Sequence, residues 1–293
     1  MKILILGHQG MLGGDLALRL AASGHDVSGR DAGDVDITSP SSCRAAIAEC
    51  DPEIVINAAG YTDVDACEAN PDLCFAVNAQ GVRHVALACR ERRVTLVHFS
   101  TDYIFDGTQG QPYVEEDAGN PLNVYGASKL AGERYLIEEA PDFLLIRTAW
   151  LYGRRGRNFV RTILEAARRE RTLEVVDDQI GSPTYTVDLA AAVERLVSED
   201  RRGIFHITNR GQVSWFAFAK TILAHAGLTD VAVRPVASTR LGRPARRPAY
   251  SVLSNRKFFR TTGRTMRFWQ LALQDCLSSR SGLEPRCPSV KKP

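Results

Sequence analysis

The sequence predicts an α/β fold: a doubly wound parallel sheet with a smaller α/β domain towards the C-terminus. Short apolar segments typical of buried strands alternate with amphipathic helical segments over the first half of the chain, and this favours parallel strands joined by helical crossovers. A turn rich in glycine follows the first apolar segment directly. Beyond Tyr152 the alternation becomes less regular, so we expect a second domain to begin there.

The first strand and the turn after it predict a loop that binds phosphates. Residues 2–6 are short and apolar, as in a buried parallel strand, and a helix is expected over 15–22. Glycines between them would let the backbone approach a pyrophosphate at the positive end of that helix, as in dinucleotide-binding folds. Their spacing is Gly-x-x-Gly-x-x-Gly, not the Gly-x-Gly-x-x-Gly of many dehydrogenases, so a structural tight turn stays an alternative. On the binding hypothesis the cofactor contacts Gly7, Gly10, Met11, Leu12 and Gly13.

The second strand, expected over 25–29, ends at Arg30 and Asp31. An acidic residue at this place can bind the adenosine ribose hydroxyls, whereas an arginine can accommodate a 2′-phosphate. Both residue types are present, so NADH and NADPH both stay open, and the earlier position of Arg30 favours NADPH. Asp36 and Ile37 lie where such proteins contact adenine. Ordinary loop positions are the alternative for these residues.

The third and fourth strands are expected to extend the cofactor site at their carboxyl ends. The third begins at Ile54 and ends in small residues, which leave room for a cofactor that crosses the sheet edge. The fourth, over 94–99, is followed directly by Ser100 and Thr101 at the same edge. Further cofactor contacts are expected from Ala58, Ala59, Gly60, Tyr61, Asn78 and Ser100.

A tyrosine and a lysine four residues apart, Tyr125 and Lys129, predict a proton-delivery site. Residues at this spacing lie on one face of a helix. A free tyrosine has a pKa near 10, and a neighbouring cation favours the phenolate and lowers that pKa. Thr101, at the end of the adjacent strand, would add a hydroxyl beside the same reacting oxygen. The alternative is that both residues are solvated helix positions.

Composition limits the class of protein and its partners. The chain has 293 residues, 44% of them hydrophobic and 24% charged, which is typical of a globular protein. A formal net charge of +3 gives no argument for nucleic acid or a membrane as partner. Seven cysteines without close CxxC pairs suggest reduced thiols in a reducing compartment. The first apolar segment is too short for a signal peptide or a membrane span, so we expect a cytoplasmic location.

Several segments together resemble the dTDP-4-dehydrorhamnose reductase family, within the extended short-chain dehydrogenase/reductase superfamily. They are spread from Met1 to about Cys276. The Ser-Thr-Asp-Tyr-Ile-Phe-Asp-Gly segment and the Tyr-Gly-Ala-Ser-Lys segment are the most informative. The segments that carry the resemblance are residues 7–13, 57–59, 100–107, 121–133, 147–153, 158–160, 178–184 and 247–253.

The resemblance implies roles for individual residues. Tyr125 would donate the proton, while Lys129 would modulate its pKa and hold the nicotinamide ribose. Thr101 would hydrogen-bond the substrate C4 oxygen, helped by Asp102, and Trp150 would pack against the sugar. The implied catalytic residues are Thr101, Tyr125 and Lys129, and the implied substrate-binding residues are Thr101, Asp102, Tyr103, Trp150 and Asn158.

The sequence pattern also predicts a division of the chain, because residues 204–208 are expected to return to the main sheet and the second domain is then not contiguous. Residues 1–150 with about 184–210 would form a Rossmann-type NAD(P)-binding domain. Residues of about 151–183 and 211–280 would form the sugar-nucleotide substrate domain, and 281–293 a disordered tail. The basic segment from Arg240 to Arg247 has two interpretations, a surface loop or a contact with the substrate diphosphate.

The expected activity is NADPH-dependent reduction of the C4 keto group of a dTDP-4-keto-6-deoxyhexose, with dTDP-4-dehydro-L-rhamnose as the preferred substrate. Dehydratases of this superfamily usually have a glutamate after the Thr-Asp pair as the base for elimination. This chain has Tyr103 there, so a simple reductase fits better. Two alternatives remain: another sugar-nucleotide reductase or epimerase, and a non-catalytic regulator like the β subunit of methionine adenosyltransferase.

Oligomeric state and metal binding stay open at this point. Some members of the resembled family are magnesium-bridged dimers that use acidic side chains. Asp15 lies on the first helix, but Val187 lies where a second acid would be expected. We therefore expect no metal ligand among the site residues, leave Mg²⁺ undecided, and expect a monomer or a homodimer.

Overall fold

The computed structural model describes residues 1–278. Their strands are β1 Lys2–Leu6, β2 Asp26–Arg30, β3 Ile54–Asn57, β4 Thr95–Thr101, β5 Phe143–Thr148, β6 Leu151–Tyr152, β7 Thr172–Val176, β8 Ile180–Gly181, β9 Thr184–Tyr185, β10 Gly203–His206, β11 Val213–Ser214 and β12 Ala232–Val236. Their α-helices are α1 Met11–Ala22, α2 Pro40–Cys50, α3 Val64–Ala69, α4 Pro71–Phe75, α5 Gly81–Arg92, α6 Val124–Glu139, α7 Phe159–Ala167, α8 Thr186–Ser198, α9 Trp215–His225, α10 Arg256–Thr262 and α11 Trp269–Ser278.

The main sheet has six parallel strands in the order β10-β5-β4-β3-β1-β2. This confirms the predicted doubly wound parallel sheet. The register aligns the strand ends, because Leu6 lies opposite Asn57 and Thr101 lies opposite Thr148. The order reverses between β1 and β3, and ligands of such sheets bind in the crevice outside the carboxyl ends at this switch point.

Two hydrophobic layers cover the two faces of this sheet. Alternate residues of a strand point to opposite faces, and β1 shows the pattern: Ile3 and Ile5 belong to one cluster, whereas Leu4 and Leu6 belong to the other. The first cluster includes residues of α1 and α8, and the second includes residues of α2 and α5. Burial on both faces explains why these strands are continuous apolar segments.

The C-terminal part of the described chain has its own apolar cluster. It joins α7, α9 and α11 through large side chains such as Tyr152, Tyr185, Phe218 and Trp269. Three two-stranded sheets lie in this part, pairing β6 with β9, β7 with β12 and β8 with β11. The strand β10 leaves this part and pairs with β5 of the main sheet, as the sequence predicted for residues 204–208.

Some boundaries differ from the sequence expectations. The first helix begins at Met11, four residues before the expected start at Asp15, because Gly10 already occupies the N-cap. Residues 71–92 form α4, a π-helical segment Ala76–Gln80 and α5, not one continuous α-helix. Neither β12 nor α10 was predicted. The expected disordered tail lies outside the described residues.

Two further features bear on location and thiol chemistry. Among residues 1–278 no helix combines the length and apolar character needed to cross a membrane. The six cysteines in this part of the chain are free and buried.

Candidate active site

The glycine loop between β1 and α1 packs tightly against neighbouring backbone atoms. Gly7 has a φ of +80°, and a Cβ there would lie 2.9 Å from the Ala59 nitrogen. A Cβ on Gly13 would lie 2.1 Å from the Gly7 carbonyl oxygen. Both positions therefore require glycine, and the loop keeps the first backbone N–H groups of α1 near the end of β3. This is the arrangement that binds a pyrophosphate.

A cavity of about 520 Å³ lies at the switch point of the sheet. Its lining includes most of the predicted cofactor residues: Gly7, Gly10, Arg30, Asp31, Asp36, Ile37, Ala58, Ala59, Gly60 and Tyr61. It also contains residues that sequence analysis missed: Leu6, Ala32, Val35, Thr38 and Val77. Each missed residue is directly next to a predicted one in the chain. The predicted residues outside this lining are Met11, Leu12, Gly13, Asn78, Ser100, Tyr125 and Lys129.

One end of the cavity is lined by Arg30 and Asp31, and we call it the adenosine end because the sequence predicted the adenosine there. Its charged groups are exposed or half-buried. The Arg30 guanidinium donates to Glu49 Oε1 at 3.2 Å and to the Gly29 carbonyl at 3.1 Å, and its side chain is 27% exposed. Asp31 accepts from the Gln9 backbone and contacts the His8 imidazole. Asp31 is therefore engaged inside the protein, whereas Arg30 is held by a surface ion pair that a ligand can replace.

Asn78 holds the loop after β3 in place through side-chain hydrogen bonds. Its Oδ1 accepts from the Tyr61 nitrogen at 2.9 Å, and its Nδ2 donates to the Tyr61 carbonyl at 2.9 Å. Nδ2 also lies 3.1 Å from the Ser128 hydroxyl on α6. With 1% exposure, Asn78 acts on the cavity by positioning Tyr61 and α6.

The helix α6 is pressed against the end of β4. Asn123 caps it by accepting from the Gly126 nitrogen at 2.7 Å. A Cβ on Gly126 would lie 2.1 Å from the Tyr103 carbonyl oxygen, so glycine permits this close approach. Tyr125 consequently lies on the first turn of α6. Its ring and that of Tyr103 are T-shaped to each other, with ring centroids 6.1 Å apart. The structure thus brings the hydroxyl of Tyr125 into polar contact with that of Thr101.

The electrostatics of this pair differ from the sequence expectation. Burial raises the pKa of the Tyr125 phenol above its usual value, and the hydrogen bond with Thr101 only partly opposes this. The net direction is therefore opposite to the lowering we predicted from Lys129. The Lys129 ammonium lies 3.5 Å from His98 Nε2, and burial lowers its pKa to about 8. Its ammonium also lies 3.9 Å from the place where a Cβ on Gly60 would be, at the edge of the cavity.

Buried polar atoms at the carboxyl ends of three adjacent strands test whether a nucleotide cofactor fits. Within the described part of the chain, Asn57 Nδ2, Ser100 Oγ and Thr148 Oγ1 are buried without a hydrogen-bond partner. Each such group costs about 1–3 kcal/mol if it stays unsatisfied. The carboxamide and ribose hydroxyls of a nicotinamide nucleotide are suitable partners, so the residues present fit this cofactor.

Asp102 is a buried carboxyl group beside the hydroxyls of Thr101 and Tyr125. Its Oδ1 accepts from Thr101 Oγ1 at 3.1 Å, and its Oδ2 accepts from the Ser251 hydroxyl. The side chain is 2% exposed. Burial raises the pKa of Asp102 to about 7, although both hydrogen bonds act in the opposite direction. Among the three residues, Asp102 therefore contacts Thr101 directly and reaches Tyr125 only through Thr101.

Tyr103 is linked to the basic segment. Its hydroxyl is in polar contact with Arg247, and Arg247 forms a two-point ion pair with Asp65, at 3.0 and 2.9 Å. The neighbouring Arg246 carbonyl accepts from the capping Asn123 at 2.8 Å. Residues 245–253 consequently lie across the end of β4, which makes this part of the basic segment a component of the site wall.

Trp150 and Asn158, the remaining predicted substrate residues, have different surroundings. Trp150 has a φ of +48° and stacks on Trp215, with ring centroids 3.4 Å apart and an interplanar angle of 5°. A Cβ on Gly181 would lie 2.3 Å from the Trp150 ring. Trp215 is half-buried and packs against the C-terminal apolar cluster as well as against Trp150. Asn158 caps α7 and donates to the Gly153 carbonyl at 2.9 Å, so its amide is used inside the protein.

The acidic residue considered for metal binding has a protein partner. Asp15 accepts a hydrogen bond from the Thr186 hydroxyl. No group of three or more His, Cys, Asp or Glu side chains placed to hold a metal occurs in residues 1–278.

The sheet order, the glycine loop and the Thr101–Tyr125–Lys129 cluster define an α/β protein of the short-chain dehydrogenase/reductase class. The model of the RmlD substrate binding domain family matches residues 1–281. The chain therefore belongs to this family, which confirms the resemblance found in the sequence.

Curated relatives and solved structures support this membership. A protein of Streptomyces griseus named dTDP-4-dehydrorhamnose reductase is 41% identical, covering 95% of this chain and 94% of that protein. A protein of Streptomyces niveus named dTDP-4-keto-6-deoxy-D-glucose reductase is 40% identical, covering 92% of this chain and 94% of that protein. The crystal structure of dTDP-4-dehydrorhamnose reductase from Bacillus anthracis in complex with NADP has a TM-score of 0.92 at 38% identity, covering 95% of this chain and 100% of that one.

Proposed function

We propose that this protein is an NADPH-dependent oxidoreductase that reduces the C4 keto group of a dTDP-4-keto-6-deoxyhexose, with dTDP-4-dehydro-L-rhamnose as its substrate. The observation that carries the proposal is the contact of Thr101 with Tyr125 at the carboxyl edge of β4, one helical turn from Lys129. The cavity at the switch point supplies room for the cofactor. The relative solved with NADP supports the choice of NADPH over NADH.

The residues of the chain divide the work of the reduction. When bound, the cofactor supplies a hydride to the sugar carbon. Negative charge then develops on the C4 oxygen, and the Tyr125 hydroxyl donates a proton to it. Thr101 holds the same oxygen by a hydrogen bond, and the ammonium of Lys129 stabilises the charge that remains. Burial of this cluster strengthens each of these interactions, because the local dielectric is low.

The cofactor and substrate contacts are part of the same proposal. The glycine loop holds the diphosphate, Arg30 binds the 2′-phosphate, and Lys129 holds the nicotinamide ribose. Trp150 and Tyr103 contact the sugar nucleotide, and the half-buried stack of Trp150 on Trp215 supports a fixed aromatic wall. Residues 1–150 with about 184–210 form the cofactor domain, and the remaining described residues form the substrate domain. We propose a cytoplasmic monomer or homodimer.

A second substrate has a specific observation in its favour. The Streptomyces niveus relative is named for dTDP-4-keto-6-deoxy-D-glucose, and its identity to this chain is nearly the same as that of the rhamnose-pathway relative. The two candidate substrates differ in the configuration of the sugar ring. The cluster that delivers the proton serves either of them.

A substrate panel tests the proposal. The purified protein is incubated with NADPH and either dTDP-4-dehydro-L-rhamnose or dTDP-4-keto-6-deoxy-D-glucose, the absorbance of NADPH is followed, and the product is identified by NMR. We expect turnover with the first substrate and a product with the L-rhamno configuration. Turnover with the second substrate alone would reassign the substrate, and cofactor binding without turnover on either would favour a regulatory role.

A further inference from the structure

Three hydroxyl groups and one carboxyl group lie in a row at the end of β4. The Tyr125 hydroxyl is in polar contact with that of Thr101, and Asp102 accepts hydrogen bonds from Thr101 and from Ser251. The rotor of Thr101 is fixed further, because its oxygen accepts from the Tyr103 nitrogen at 3.1 Å. Asp102 makes no salt bridge within the part of the chain that the structure describes. It is thus a buried carboxyl group whose polar contacts lead to the proton donor on one side and to Ser251 on the other.

We infer that Asp102 stores the proton that restores Tyr125 after each reduction, and that Ser251 sets how firmly this proton is held. The inference rests on the proposed function and deepens it, since it concerns the same site. Asp102 acts through Thr101 and is a positioning and proton-storing residue, not a catalytic one.

The transfer consists of three coupled proton movements. The Tyr125 O–H bond breaks as the C4 O–H bond of the product forms. When Asp102 holds the proton it donates to Thr101 Oγ1, which frees the Thr101 hydroxyl to donate to the C4 oxygen. After the Tyr125 proton has moved, the Thr101 proton passes to the Tyr125 oxygen and the Asp102 proton passes to Thr101 Oγ1. The net result is one proton moved from Asp102 to the alcohol, leaving a carboxylate that takes a proton from water before the next turnover.

The surroundings of Asp102 suit this role. Burial keeps its pKa at about 7, and burial raises the pKa of the Tyr125 phenol well above that. A proton on Asp102 therefore moves towards a Tyr125 phenolate with a favourable free energy. The titratable groups that act on or respond to Asp102 are Tyr103 on its own turn and Tyr125 on α6, and the charges of Arg247 and Arg243 act on Tyr103.

Ser251 connects this row of groups to the C-terminal part of the protein. Its backbone nitrogen donates to the Ile180 carbonyl at 2.9 Å, and the next residue's carbonyl accepts from the Tyr113 nitrogen at 2.9 Å. The hydroxyl of Ser251 is therefore held in place from both sides. Its hydrogen bond favours the ionised form of Asp102, so loss of this bond should raise the pKa of Asp102.

The first test compares pH profiles of kcat for the wild type, Asp102→Asn and Ser251→Ala. The stored proton is present below the pKa of Asp102, so wild-type kcat should fall as pH rises through about 7. Asp102→Asn keeps an acceptor for Thr101 but stores no proton, so kcat should drop by about 10–100-fold, less than loss of the donor itself, and the fall near pH 7 should vanish. Ser251→Ala should move the fall to higher pH. Asp106→Asn is the matched control, since Asp106 bonds Thr108 and Asn120 instead, and its profile should keep the wild-type shape.

The second test needs no cofactor or substrate. Carbon-13 NMR of aspartate-labelled protein follows the carboxyl signal that disappears in Asp102→Asn. We expect this signal to titrate near pH 7, and at higher pH in Ser251→Ala. If Asp102→Asn fails to fold, the carboxyl signal whose titration moves in Ser251→Ala is followed instead, together with the pH profile of that variant. A carboxyl that titrates below pH 5 overturns the inference, as does an Asp102→Asn enzyme with an unchanged pH profile. An inactive wild type would overturn the proposed function instead.

Discussion

The two ends of the cofactor cavity are built in different ways. At the adenosine end, Arg30 is held by Glu49 in a surface ion pair, and the Glu49 side chain is 72% exposed. The opposite end, next to the carboxyl end of β4, is called the reaction end. There Thr101, Asp102 and Lys129 are each less than 7% exposed and form hydrogen bonds. Under the proposed function, cofactor choice depends on a solvent-exposed ion pair that a ligand can replace, whereas proton transfer depends on buried groups held by hydrogen bonds. Substitutions at the two ends should therefore change different properties, cofactor affinity at one end and turnover at the other, and by different amounts.

The largest effect is expected at the reaction end, from Tyr125→Phe. The change keeps the ring and its contact with Tyr103 but removes the proton, so kcat should fall by about 10²–10⁴-fold, with NADPH affinity little changed. The measurement is steady-state turnover of the purified variant. Tyr135→Phe is the matched control on the same helix, where the hydroxyl bonds Gln80 at the surface, and kcat should stay at the wild-type value. A Tyr125→Phe enzyme with wild-type kcat would show that Tyr125 is not the proton donor.

The next effect is a gain in stability from Lys129→Met. In the folded protein the pKa of Lys129 is about 8, below its ordinary value of 10.5, because burial disfavours the ammonium. Stability of the wild type should therefore rise between pH 8 and 10.5, where the unfolded chain binds more protons.

The methionine variant has no charge to bury. Its free energy of unfolding at pH 7 should exceed that of the wild type by up to about 3 kcal/mol, and the rise above pH 8 should be absent, although turnover decreases. Urea unfolding across this pH range measures both. Lys220→Met, on an exposed face of α9, should show neither change. Equal pH dependence in wild type and Lys129→Met would contradict the assigned pKa.

A smaller and selective effect is expected at the adenosine end, from Arg30→Ala. Loss of a charge-assisted contact to the 2′-phosphate should weaken NADPH binding by about 1.5–3 kcal/mol and leave NADH binding nearly unchanged. Calorimetric titration with both cofactors makes the comparison. The control is Arg44→Ala, which breaks a surface pair with Glu91 outside the cavity. Equal losses for the two cofactors would exclude this role for Arg30.

The smallest effect is expected from Glu49→Gln. This change releases Arg30 from its surface ion pair, which is worth less than about 1 kcal/mol, so NADPH should bind slightly more tightly, and less so at high salt. Binding curves at two salt concentrations test it. A marked loss of NADPH affinity would mean that Glu49 orients Arg30 and does not compete for it.

The main sheet was predictable because its strands are short, apolar and separated by recognisable helices. The residues at the strand ends followed from the same pattern, since Ser100, Thr101 and Ala58 come directly after apolar segments. The clustering of Thr101 with Tyr125 was also predictable, because helix spacing and the end of β4 point to one edge.

What the sequence did not reveal depends on tertiary contacts. No local signal shows that Ser251 bonds Asp102, or that Arg247 bonds Tyr103, because the partners are distant in the chain. The direction of the Tyr125 pKa was wrong for a similar reason: burial outweighs the neighbouring cation only once the packing is known. The strand β12 is mostly exposed and contains Pro235, so it lacks the apolar periodicity that identifies a strand.

The contacts across the end of β4 also bear on how the protein folds. The bonds Asn123–Arg246, Asp102–Ser251 and Asp65–Arg247 join residues 123, 149 and 182 positions apart. Such long loops slow assembly, because their closure entropy must be overcome before the contacts form. During synthesis the strands β1 to β5 emerge long before residues 245–253 do. A growing chain thus acquires the sheet and glycine loop first, and the proton-delivery site is completed only when the last quarter has been made.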